Sequence, residues 1–262
     1  MYTMGIDIGS TTSKCVVLKD GKEIVGQSLV VAGIGTDGPE RSCQMALESC
    51  GLKGENIAYT VATGYGRDQW KDARVSVSEL TAHAMGCHFL IPEARTIIDI
   101  GGQDAKAISL DSKGRMSDFV MNDKCAAGTG RFLDVMANIL KMDVGELEVY
   151  AAKSGKPAVI SSTCTVFAES EVISQLARGA DRADVVAGIC HSVAVRVATM
   201  AKRLGIRETV CMSGGVAQNG GVREAISEVL GVPVVYSPMA QLAGALGAAL
   251  YAYQKTNQGG ER

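Results

Sequence analysis

The sequence predicts an α/β protein made of two related domains, and three observations carry that expectation. Asp7-Ile8-Gly9-Ser10-Thr11-Thr12-Ser13-Lys14 aligns without a gap on Asp99-Ile100-Gly101-Gly102-Gln103-Asp104-Ala105-Lys106, an offset of 92 positions. Self-similarity at a fixed spacing marks duplicated structural units. Each copy begins at the end of one apolar strand-like run and leads into another, as the turn of a β-hairpin does. Helical patterns alternate with short strands over the rest of the chain, which is the α/β signature. The 262 residues, 47% of them hydrophobic, suffice for two cores, and the repeat divides the chain into domains 1–92 and 93–262.

In chain order, strands are expected at 4–8 and 14–18, then the turn Lys19-Asp20-Gly21-Lys22 and a third strand-like stretch. Helices follow at about 39–50 and 78–90, around a short strand at 57–62. The second copy repeats the opening with strands at 96–100 and 106–110, the turn Asp111-Ser112-Lys113-Gly114, and another strand-like stretch. Helices are expected at 130–140, 144–154, 166–177 and, as a long amphipathic segment, 181–204. A strand at 209–212, a helix near 219–230, a strand at 232–236 and a small-residue helix at 240–253 complete the second domain. The polar tail 255–262 reads as disordered.

Charge and composition exclude several function classes. With 28 acidic and 26 basic residues the formal net charge is −2, so there is no electrostatic reason to bind nucleic acid or an acidic membrane. The opening Met1-Tyr2-Thr3-Met4-Gly5-Ile6-Asp7 has no basic n-region, and the late apolar run 242–253 is far shorter than the roughly 20 residues that span a bilayer. A cytoplasmic protein is expected. Its eight cysteines are then free thiols rather than a disulfide framework. No pair is spaced C-x-x-C, so zinc signatures and the sequential ferredoxin run are missing. Cys15, Cys43, Cys50, Cys87, Cys190 and Cys211 sit among apolar or helical neighbours and read as small hydrophobes. The histidines His83, His88 and His191 read as packing residues on helices, and Arg178, Arg182 and Arg196 as solvated helix charges.

Chemistry concentrates at the glycine turns. A strand ending in Asp-Ile-Gly-Ser-Thr-Thr offers backbone N–H groups and hydroxyls to an anion, while its carboxylate suits a hydrated cation. A second equivalent turn lets two domains grip a polyphosphate from both sides. A third segment, Met212-Ser213-Gly214-Gly215-Val216-Ala217-Gln218-Asn219, follows a strand and opens a helix, which brings backbone against a flat base and ribose. The three segments resemble the phosphate-1, phosphate-2 and adenosine motifs of the acetate-kinase/sugar-kinase/Hsp70/actin superfamily. That resemblance implies two ribonuclease-H-like domains, of the actin/Hsp70 ATPase type, closing over Mg-ATP in the cleft between them. It implies that Asp7 and Asp99 position Mg2+ and its waters. Gly9, Ser10, Thr11, Thr12, Ser13 and Lys14 would meet the β- and γ-phosphates, with Gly101, Gly102, Gln103 and Asp104 facing them. Gln103 or Asp104 would orient the attacking water. Gly214, Gly215, Asn219 and Gly244 would border the nucleoside.

Two cysteines stand apart. Cys125 lies in Asn122-Asp123-Lys124-Cys125-Ala126-Ala127-Gly128-Thr129-Gly130-Arg131 and Cys164 in Ser161-Ser162-Thr163-Cys164-Thr165-Val166-Phe167-Ala168-Glu169, each ahead of an expected helix. A helix N-terminus stabilises a thiolate through its partial positive charge and free N–H groups. Two thiolates do not close a four-thiolate site, but a two-fold dimer supplies four. These segments, with Gly5 to Thr12 and Ile98 to Asp104, resemble the BadF/BadG/BcrA/BcrD ATPase family and its activators of 2-hydroxyacyl-CoA dehydratases, with no departure at a motif position. The resemblance implies an oxygen-sensitive homodimer with one [4Fe-4S] cluster ligated by Cys125 and Cys164 of both subunits. Reduced by ferredoxin or flavodoxin, it would bind ATP, dock on a dehydratase and pass it one electron. The competing expectation is a small-molecule kinase of the N-acetylhexosamine or pantothenate type, or a non-catalytic nucleotide switch, neither of which needs the two cysteines.

Overall fold

The computed structural model describes residues 1–161 and 164–259; Ser162 and Thr163 of the Cys164 segment, and the last three residues of the chain, lie outside the described residues. The chain divides into two compact units, each an α/β domain around a mixed five-stranded sheet.

The first unit opens with β1 (Tyr2–Ile8), β2 (Ser13–Lys19) and β3 (Glu23–Val30), then α1 (Gly38–Ser49), β4 (Ile57–Thr63), the short β5 (Val75–Ser76) and α2 (Glu79–Leu90). Its strand order is β3-β2-β1-β4-β5: β1 pairs antiparallel with β2 and parallel with β4. Alternation along β1 sends Met4, Ile6 and Ile8 into one core with Cys15, Val17, Cys43 and Ala46, because successive strand side chains point to opposite faces. The other face receives Gly5, where a Cβ would stand 2.1 Å from the carbonyl of Ala245.

The second unit contains β6 (Thr96–Ile100), β7 (Ala105–Leu110), β8 (Met116–Asn122), α3 (Gly130–Ile139), α4 (Glu146–Ala151), α5 (Thr165–Ala177), α6 (Arg182–Lys202), β9 (Val210–Ser213), α7 (Gly220–Leu230) and β10 (Val234–Tyr236). Its order β10-β9-β6-β7-β8 is that of the first sheet read from the other edge, with β6–β7 antiparallel and β6–β9 parallel. The duplication expected from the repeat is present, with the ribonuclease-H-like topology that the resemblance implied. The core joins Ile98, Ile100, Ala105 and Ala107 to Phe132, Leu133, Met136, Val172, Ile189 and Val193. By length and composition α6 would cross a bilayer, but 72% of its apolar window is buried inside the protein. It is the central core helix.

Two expectations are corrected. Residues 241–253 were read with the second domain, yet everything from Gln241 onward, and the Asp111–Met116 turn, clusters with the first unit. The last helix, α8 (Ala243–Gly259), packs on β1, β2, β4 and α2, burying Ala248 and Ala252 against Val61 and Ala82. Of the tail read as disordered, residues 255–259 are helical, continuing α8.

Candidate functional site

Each unit carries one turn with a carboxylate and a lysine beside it. In the first, Gly9 N–H donates to Thr12 O at 3.0 Å, closing a turn that leaves Thr11 exposed and Gly9, Ser10 and Thr12 half-buried. Strand register sets Asp7 opposite Lys14, and Lys14 Nζ donates to Asp7 Oδ2 at 3.1 Å. In the second, Gly101 N–H donates to Asp104 O at 2.9 Å and Asp99 stands opposite Lys106. Lys106 Nζ lies 2.6 Å from Asp104 Oδ2 and 3.4 Å from Asp99 Oδ2, while Ser213 Oγ donates to Asp99 Oδ1 at 2.8 Å. The glycine of the third motif fits tightly here: Gly214 adopts φ 82°, and a Cβ on it would lie 2.3 Å from Ile100 O and 2.9 Å from Asp99 Oδ1. Only glycine is accommodated at that conformation and distance.

The geometry separates residues that the sequence grouped. Ser13 is fully buried, and its hydroxyl donates to Ala32 O at 2.7 Å, bracing the turn from beneath. Asp104 is buried and committed to Lys106, whereas Gln103 is exposed at the turn's tip. Asn219 caps α7, its Oδ1 accepting Val222 N–H at 3.0 Å, and is buried in that role, while Gly215 beside it is exposed. Gly244 belongs to the first unit and lies against the Asp7 carboxylate. Sequence reasoning missed Lys106, although the repeat set it on Lys14, and missed Ser213, whose partner Asp99 is distant in sequence.

Cys125 and Cys164 are free and partly exposed. They precede α3 and α5, which pack on each other. Cys164 is the N-cap of α5, without a side-chain cap bond. The segment before it is held by Ala158 N–H to Asp184 O at 2.8 Å, by Ser192 Oγ to Ser161 O at 3.0 Å, and by the Ser161 amide donating to the Glu171 carboxylate. Cys125 stands four residues ahead of the N-cap Thr129 of α3, not at the cap itself, with Asn122 Nδ2 donating to its carbonyl at 2.8 Å. The first amides of α3 are not free for a thiolate: Gly130 N–H donates to Gly101 O and Arg131 N–H to Gly102 O, each at 2.8 Å. Two of the other thiols are held in the neutral form. Burial pushes Cys190 up to about 12, and a hydrogen bond with Cys43, then burial, raises Cys15 well above the ordinary thiol range.

The chain is 60% identical over 256 residues to the (R)-2-hydroxyglutaryl-CoA dehydratase activating ATPase of Acidaminococcus fermentans, covering 97% of this chain and 98% of that one. It is 56% identical over 254 residues to the activator of lactoyl-CoA dehydratase of Anaerotignum propionicum, covering 97% and 98%. A solved structure, the activator of the 2-hydroxyisocaproyl-CoA dehydratase from Clostridium difficile with bound ADPNP, superposes with a TM-score of 0.96 at 52% identity, covering 100% of this chain and 97% of that chain. The pattern of conserved sequence that defines the BadF/BadG/BcrA/BcrD ATPase family matches residues 4–252, and the chain belongs to that family.

Proposed function

We propose that this protein is the ATP-driven activator of a 2-hydroxyacyl-CoA dehydratase, delivering to that partner one electron drawn from ferredoxin or flavodoxin. The relatives named as dehydratase activators, at 60% and 56% identity, support the partner class, and the neighbour with bound ADPNP supports the nucleotide. ATP is assigned to the two glycine turns, with Lys14 and Lys106 beside them, and the nucleoside to Gly214 and Gly215. Asp7 and Asp99 supply the carboxylate oxygens that suit hydrated Mg2+. Gln103, exposed at its turn's tip, is assigned to orient the attacking water, and Asp104 to hold Lys106.

The donor set fits an iron–sulfur cluster shared between copies. Each chain offers Cys125 and Cys164, and among the described residues no group of three or more His, Cys, Asp or Glu is placed to hold a metal alone; four thiolates then require a two-fold homodimer. Val166 and Phe167, in the first turn after Cys164, are 65% and 63% exposed, an apolar surface suited to being covered. When bound, a [4Fe-4S] cluster supplies a one-electron couple, and about 300 mV of uphill transfer takes about 7 kcal/mol, within reach of nucleotide hydrolysis.

The observation that carries the reading is the seam between Gly101-Gly102 and the first amides of α3. Whatever the nucleotide does to that turn is delivered to α3 and to the Cys125 segment ahead of it. Cys125→Ser and Cys164→Ser, purified without oxygen, are expected to lose iron and dehydratase activation while still binding ATP. A serine variant that keeps its full iron content and still activates the dehydratase would falsify the assignment.

A further inference from the structure

We propose that His83 is a positioning residue of the nucleotide half-site in the first unit, acting on the Asp7 carboxylate across the bare backbone of Gly244. From its place on a helix His83 reads as a packing residue, and nothing in the motif set points to it. In the structure His83 is 7% and Asp7 5% exposed, and both aim at one point: a Cβ on Gly244 would lie 2.9 Å from Asp7 Oδ2 and 3.0 Å from His83 Nε2. Two polar groups that both stand within 3.0 Å of one point can be linked by a direct or a water-bridged hydrogen bond.

The approach is built by small residues. On Gly86 a Cβ would stand 1.9 Å from Ala243 O, and on Gly247 it would stand 1.8 Å from Ala82 O, so α2 and α8 cross backbone to backbone on either side of His83. Ala82, Ala243 and Ala248 are fully buried at the same crossing. Mere space-filling there needs no imidazole. The second unit solves the same problem with different parts: the carboxylate of Asp99 is also faced by a glycine, Gly214, with a Cβ distance of 2.9 Å, and by one polar side chain, Ser213, at 2.8 Å. Each aspartate of the repeat thus has a lysine on the neighbouring strand, a glycine against it, and one polar side chain from a distant element. Strand register makes Thr63 and Gly64 the counterparts of Ser213 and Gly214, but the Thr63 hydroxyl donates to Val77 O at 3.0 Å, and His83 is the polar side chain brought beside Asp7 instead.

The inference rests on the reading that Asp7 serves Mg-nucleotide, and outer partners of cation-binding carboxylates fix their orientation. The experiment uses the intact homodimer and two readouts: steady-state ATP hydrolysis, and the rise in melting temperature with ADP, measured with Mg2+ and again with EDTA. His83→Ala is expected to lower kcat about tenfold with KM for ATP little changed. It should also lose the extra stabilisation that Mg2+ adds to ADP, while keeping the rise with ADP in EDTA. His83→Gln, which returns an amide N–H near the Nε2 position, should recover most of both. Gly244→Ala, which drives a methyl between the two groups, should behave as His83→Ala, and His191→Ala on the exposed face of α6 should match the parent protein. The proposal is overturned if His83→Ala leaves kcat and the Mg2+ increment unchanged, if glutamine rescues neither, or if the rise with ADP in EDTA is lost equally. A parent protein that neither hydrolyses ATP nor responds to ADP overturns the nucleotide reading itself, and is seen before any variant is made.

Discussion

Lys106 carries more electrostatic commitment than any other described side chain of the second half-site. It is 2% exposed and faces two buried carboxylates, Asp99 and Asp104. Buried charges are tolerable when paired, and removing one partner leaves an uncompensated charge at a cost of about 3–5 kcal/mol. Lys106→Met is therefore expected to lower the melting temperature sharply, and more than Lys14→Met, whose ion pair is single and whose side chain is 13% exposed. Equal melting temperatures for the two variants in differential scanning calorimetry would refute the ranking. Asp7, Asp99 and the lysines were all legible from the repeat, because a gapless alignment preserves register and register fixes which side chains meet across a hairpin. Ser13, Asn219 and Asp104 carried the right chemistry for a ligand, but hydroxyl, amide and carboxylate groups also satisfy backbone and lysine donors within the fold. Which use wins depends on burial, and burial is set by elements far away in sequence.

Among the elements, α8 shows how a composition signal is read correctly and placed wrongly. Its run of alanine and glycine announced a helix, and small residues announced close packing, yet the sequence does not say against what. The answer is the α2 crossing and the back of β1, where Gly5, Gly86 and Gly247 let main chains touch. Gly247→Ala puts a methyl 1.8 Å from Ala82 O, and overpacking of this kind costs about 1–3 kcal/mol or more. A clear drop in melting temperature is expected despite the better helix propensity of alanine; a stabilised variant would mean that the two helices part readily. The helices α3 and α5 were found within a residue of their bounds, since their periodicity is strong. Their mutual packing and the seam from α3 to the Gly101-Gly102 turn were not legible, because hydrogen bonds between backbone groups leave no trace in side-chain identity.

At the scale of the whole molecule, the duplication governs everything that the sequence made visible: two sheets of the same strand order, two turns closed by the same amide-to-carbonyl bond, and two lysines at matching register. What it hid is that the chain does not run through its units once each. It leaves the first, builds the second, and returns to the first with α8. Translation proceeds from the amino end, so β1 is made before the second unit and waits for its covering helix α8 until after it. The second unit meets no such delay, every one of its strands having been synthesised before α8 begins. Its folding should come first, although its gene segment comes second. Hydrogen-exchange labelling of arrested nascent chains should find β6 and β7 protected at lengths where β1 and β4 still exchange freely, and the reverse order would contradict this. The sheet that carries the amino-terminal turn is in this way left uncovered until α8 has been made, and a product that stops before α8 is born without that cover.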